Sequence, residues 1–193
     1  MRCWRNASLA LLLALATTLV HAGSIEPVRA AISLGDDGYA LSAEFAVDLG
    51  PRLEEAVSRG VPLTFNLELT ISRLRWYWYE EHVAGRTVNY HLSYNALTRQ
   101  YRLSIGGLYQ SFDTLADALR VLSRVAALPV ADKGALKAGE TYNAALRLSL
   151  DRSQLPKPFQ VDAIANRDWQ VDSKVLRWQF TPAAAAPPPP EAK

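Results

Sequence analysis

The chain has 193 residues, with 21 basic against 19 acidic side chains, a net charge of +2 and one cysteine. Both Arg2 and Arg5 fall in a leading stretch that holds no acid, so the remainder balances at 19 against 19 and lacks the charge signature of a nucleic-acid partner. Cys3 lies in the same stretch, which leaves the rest of the chain without a disulfide, a thiol nucleophile or an acylated cysteine following an apolar run.

Residues 1–22 read as a cleavable secretory signal. Arg2 and Arg5 precede an uncharged Leu- and Ala-rich run from Ala7 to Val20, and Val20-His21-Ala22 offers a small-residue cleavage site ahead of Gly23. The run is shorter than the ~20 apolar residues a spanning helix needs. A mature protein beginning at Gly23, periplasmic and not integral to the membrane, is the expectation.

From Val28 the dominant pattern has a period of two. Val28, Ala30, Ile32 and Leu34 alternate with polar or small neighbours, Gly35-Asp36-Asp37-Gly38 supplies a turn, and Tyr39 to Leu49 resumes the alternation: a hairpin. Gly50-Pro51 starts a brief crossover helix with Leu53, Ala56 and Val57 on one stripe, read as peripheral to the core. In Leu63–Tyr79 the apolar side chains stand at odd positions up to Ile71 and at even positions from Leu74. A strand cannot serve one face with both sets, so a bulge or bend is expected near Ser72-Arg73. A straight strand of that length would also run ~55 Å at ~3.3 Å per residue, too long for a small domain.

A polar loop is expected from Glu80 to Arg86, then strands around Val88–Tyr94 and Tyr101–Ile105 joined by the turn Asn95–Arg99, with Gly106-Gly107 releasing the chain into the next loop. Leu115, Ala118, Leu119, Leu122 and Val125 recur at helical spacing, which predicts one packing helix over about residues 112–126, capped by Ser111 or Asp113. Tyr142–Leu150 alternates again. The turn Leu155-Pro156-Lys157-Pro158 leads to Phe159, Val161 and Ala163 at alternate positions, and a last strand carries Leu176, Trp178 and Phe180. Residues 182–193 are Ala- and Pro-rich and read as an exposed, disordered tail with polyproline character. Residues 23–181 are thus expected to form a single β-rich domain: a β-sandwich or open barrel of about 8–10 antiparallel strands. Trp76 and Trp178 are assigned to its core, where large aromatics substitute for absent disulfides.

The run SRLRWYWYEE, the hairpin VNYHLSYNALTRQYRLS, the helix FDTLADALRVLS, and the segments LPKPFQVDA and DWQVDSKVLRWQF together resemble the proteobacterial DUF4390 family, over roughly Ile25 to Phe180. That resemblance implies an exported protein of a Gram-negative bacterium. It brings no catalytic or ligand residues with it.

No catalytic, cofactor or metal site emerges from the residues themselves. There is no G-x-S-x-G elbow, His82 and His91 match no metal-ligand spacing, and Gly106-Gly107 lacks the lysine and helix start of a phosphate loop, so no cofactor is implied. One constellation is singled out by parity. If Leu74, Trp76 and Trp78 face the core beside Val88, Tyr90 and Leu92, then Arg73, Arg75, Tyr77, Tyr79, Asn89, His91 and Arg102 line the opposite face of the same meander. Arginine and tyrosine concentrate binding energy at protein interfaces. The expected function is a non-catalytic accessory or protein-binding module of the cell envelope, with an envelope or membrane protein as partner. An envelope carbohydrate or lipid binder is the alternative, and a hydrolase without a recognised motif stands behind both.

Overall fold

The computed structural model describes residues 23–74 and 80–182. Nine strands are found there: β1 (Ser24–Leu34), β2 (Gly38–Asp48), β3 (Leu63–Leu74), β4 (Glu80–Asn95), β5 (Gln100–Ile105), β6 (Leu108–Phe112), β7 (Arg124–Asp132), β8 (Tyr142–Leu150) and β9 (Leu176–Phe180). Three α-helices interrupt them: α1 (Gly50–Ser58), α2 (Leu115–Leu122) and α3 (Lys157–Ala165). The strands form two open antiparallel sheets, one of order β1-β2-β7 and one of order β6-β5-β4-β3-β8-β9. The two stack face to face, with β7 against β4 and β1 against β8. The fold is mainly β and sandwich-like, as the alternation predicts, and neither sheet closes on itself.

Alternation builds the interior. Leu63, Phe65, Leu67, Leu69 and Ile71 of β3 are buried, and so are Tyr142, Ala144, Leu146, Leu148 and Leu150 of β8 beside them. From the smaller sheet Tyr39, Leu41, Ala43 and Phe45 of β2 close down on this row. The β1–β2 turn depends on Gly38, whose φ is +143 and whose missing Cβ would stand 2.4 Å from the Ala131 carbonyl oxygen on β7.

Several sequence expectations are corrected. α1 is a core element and not a peripheral one: its side chains Leu53, Ala56 and Val57 are all buried, and the helix rests on β4 and on the turn Arg167–Trp169. Glu80–Arg86 is strand rather than loop, because β3 extends far enough to pair with all of it except Val83, Gly85 lying opposite Thr70 and Arg86 opposite Leu69. The packing helix is shorter than 112–126. Thr114, not Ser111 or Asp113, caps it, its Oγ1 accepting from the Asp117 amide at 3.1 Å. The helix stops at Leu122 because the Ser123 carbonyl accepts from the Phe45 amide at 2.9 Å and the following residues join β2 as β7. Val125 is still buried, so the apolar stripe continues from helix into strand without showing the change. Phe159, Val161 and Ala163 sit on α3, started by Pro158 in its first turn; Ala163 is buried and Val161 is exposed.

The tryptophans divide differently from expectation. Trp169 is the fully enclosed one, with its indole Nε1 donating to Asp162 Oδ2 at 2.9 Å and its ring 5.8 Å from that of Phe159. Trp178 is partly buried against the core. Trp76 and Trp78 lie outside the described residues.

Candidate partner-binding face

In β4 the residues Val88, Tyr90 and Leu92 pair with Leu67, Phe65 and Leu63 on the inner side of the six-stranded sheet. Burial among these apolar neighbours raises the Tyr90 phenol above its ordinary value. Their sequence neighbours must therefore project from the outer side, and that side is polar. Asn89 stands opposite Asn66, which donates to Asp151 Oδ2 at 3.2 Å. His91 stands opposite Thr64, with Nδ1 and the Thr64 hydroxyl 2.9 Å apart.

One strand further out, Arg102 pairs with Ser93 of β4 and Ser111 of β6. Its guanidinium carbon lies 5.0 Å from the centre of the Tyr109 ring, within the range of a cation–π contact. The buried Nε of Arg102 has no hydrogen-bond partner, and among the described residues no carboxylate pairs with this side chain. Asn89, His91 and Arg102 thus share one face, and Tyr109 joins them unpredicted.

Tyr109 was hidden by its surroundings. β6 reads Leu-Tyr-Gln-Ser-Phe with almost every residue exposed, so it has no buried-exposed alternation to detect. Gly106-Gly107, read as release into a loop, is in fact the two-residue turn of the β5–β6 hairpin. A glycine pair between two β-prone stretches was the available signal.

Arg73 belongs elsewhere. A ladder irregularity does occur at Ile71/Ser72, where the bulge was expected, but the extra residue is Val83 on β4: Ala84 pairs with Ile71 and His82 already with Ser72. β3 keeps its parity, so Arg73 falls on the inner side with Ile71, at the end of the sandwich. There it donates to Glu81 Oε2 at 2.9 Å and to the Glu140 carboxylate, which also accepts from the Tyr142 hydroxyl at 3.2 Å. The bonds to Glu81 and Glu140 raise the Arg73 pKa, and the Arg73 guanidinium holds the Glu140 carboxyl below the usual carboxylate range. Ser72, on the other side, donates to Glu80. Arg75, Tyr77 and Tyr79, the other members of the predicted face, lie outside the described residues.

A concavity of about 540 Å³ over the smaller sheet is lined by residues including Arg29, Ser42, Glu44 and Arg124. A second, of about 430 Å³, is lined by Ser72, Glu80, Asn143, Arg177, Trp178 and Gln179 among others. Asn89, His91 and Arg102 line neither; they present an open surface. Among the described residues no three His, Cys, Asp or Glu side chains gather as a metal would require, and no helix is long and apolar enough to cross a membrane.

These features define a mainly β, two-sheet protein with a polar-aromatic outer face. The family model for the domain of unknown function DUF4390 matches residues 22–179, and the chain belongs to that family. No curated protein and no solved structure matches it.

Proposed function

We propose that this is an exported, non-catalytic binding module of the cell envelope that acts through a protein partner, by way of the outer face of β4, β5 and β6. Export rests on the composition of residues 1–22: two arginines, an apolar run too short to span, and small residues before Gly23. The observation that carries the binding role is the Arg102–Tyr109 stack, where a guanidinium without a carboxylate partner and an exposed phenol meet on a sheet face that also presents His91 and Asn89. Such side chains offer large contact area together with several hydrogen bonds, the combination that dominates interface energetics.

The test is co-purification from envelope extracts with the mature protein and with Arg102→Ala and Tyr109→Ala. Both variants should fold, because Tyr109 is exposed and Arg102 lies half-buried on the outer face, outside the apolar core, and substitutions at such sites usually cost far less than emptying a core position. Loss of a specific membrane-protein partner in both supports the reading; retention of every wild-type partner by both refutes it. Intact mass of periplasmic material decides export, and a mass that retains Met1–Ala22 overturns that part.

A second reading, an envelope carbohydrate binder, is favoured by the 430 Å³ concavity on the outer side of the larger sheet, where Ser72, Glu80, Asn143, Arg177 and Gln179 come together. Amide, carboxylate and guanidinium groups converging on one hollow suit the hydroxyls of a sugar. Bound saccharide in the purified protein, lost on Gln179→Ala while Arg102→Ala keeps it, would favour that reading over the first.

A further inference from the structure

Two open sheets leave four edges, and three of them carry a feature that discourages the addition of another strand. β1 has Pro27 with a bulge at Val28. β7 has Pro129, a positive φ at Ala127 and register shifts against β2. β9 carries Arg177 and is tied at both ends, Asp172 bridging to Ser149 before it and the Pro182 carbonyl accepting from the Gly139 amide after it. β6 has none of these features: it holds no proline, glycine or charge and pairs with β5 without a register shift.

The β5–β6 turn fixes what this edge offers. In a two-residue hairpin the closing pair, here Ile105 and Leu108, is hydrogen-bonded, and bonding then alternates along the ladder. The N–H and C=O groups of Leu108, Gln110 and Phe112 therefore point towards β5, and those of Tyr109 and Ser111 point outward. Leu108 is 82% and Tyr109 65% exposed, so both faces beside the edge are also open.

We propose that β6 is a docking edge which accepts an extended segment of a protein partner as a further strand, with an acidic side chain of that segment set beside Arg102. This rests on the protein-binding reading above and specifies the form of the partner. Charge complementarity selects the acid. The Arg102 guanidinium already lies over β6, about one strand spacing of ~4.8 Å from an incoming strand, and among the described residues it has no carboxylate. A second copy is the poorer occupant, because β6 itself carries no charge and would bring no acid to the arginine.

The experiment uses isotope-labelled protein spanning residues 23–193 and short synthetic peptides of alternating Thr and Val, with Glu or Lys at the central position. The Glu peptide should slow amide exchange at Tyr109 and Ser111 and bind about tenfold more tightly than the Lys peptide. Ser111→Pro and Tyr109→Pro each remove an outward N–H and leave the bonds to β5 in place; either should abolish that protection with the melting temperature unchanged. Arg102→Gln should erase the preference for Glu over Lys. The proposal is overturned if neither peptide protects these amides, if both proline variants fold and bind as before, or if protection rises with protein concentration alone, which would mark a second copy. Its failure is separable from that of the parent reading: an envelope partner lost on Arg102→Ala but kept by Ser111→Pro binds the face without adding a strand.

Discussion

Arg73 owes its position to a residue on another strand. Val83 is the extra residue of β4, so β3 runs on without a change of parity and Arg73 turns inward to Glu81 and Glu140. The sequence shows that the apolar period breaks near Ser72, but not which of two strands absorbs the break. Glu80–Arg86 looked like a loop, so no second strand was at hand to carry the bulge. Replacing Arg73 with Met should lower the melting temperature at neutral pH by removing the guanidinium that donates to both the Glu81 and the Glu140 carboxylates. Glu140 has a depressed folded-state pKa, so the stability it contributes is present above the ordinary carboxylate range and is lost as pH falls through the folded-state value. Melting curves of wild type and Arg73→Met should therefore converge in acid, and a gap that persists there would mean the arginine acts by packing alone. Trp169, 1% exposed, poses the opposite case. Trp169→Ala should cost about 3–5 kcal/mol in chemical denaturation through the emptied site, whereas Trp169→Phe keeps a ring and loses the bond to Asp162. Its burial was not legible, because it stands in the irregular stretch after α3, where no period applies.

At the scale of elements, legibility followed burial. β2, β3 and β8 each bury one face more fully than the other, and their alternation marks them plainly. β6 has no fully buried residue and passes as loop, while β7 breaks its period with Ala127 and Pro129, so its first residues read as the end of the preceding helix and the rest as loop. α1 was visible as a helix, but its depth was not, since three apolar side chains cannot say whether something covers them. The β1–β2 hairpin yields a sharp test. Gly38→Ala would place a methyl group 2.4 Å from the Ala131 carbonyl at a φ of +143. A loss of about 1–3 kcal/mol is expected from the strained backbone alone, with the clash against β7 adding to it. A denaturation midpoint equal to that of wild type would mean that the turn and β7 can separate at little cost. The candidate site was legible in part for the same reason: Asn89, His91 and Arg102 flank buried residues of regular strands, while Tyr109 lies on a strand with nothing buried beside it.

For the whole molecule, the order of strands matters more than their number. β2 lies between β1 and β7, and β3 between β4 and β8, so the central strand of one sheet and an inner strand of the other each wait for a partner far along the chain. Closing such distant ladders is entropically slow, and refolding of residues 23–182 in milliseconds to seconds is expected, on the scale of all-β domains. Microsecond refolding in stopped flow or temperature jump would show that local hairpins suffice. The pairing of β3 with β8 carries one more consequence, which concerns timing. Until Tyr142–Leu150 is available, the row from Phe65 to Ile71 has β4 on one side and nothing on the other. A chain cut before β8 should therefore aggregate instead of forming half a sandwich. The same dependence would leave the growing polypeptide open until late in synthesis, the state that the export proposed above would need for threading through a membrane.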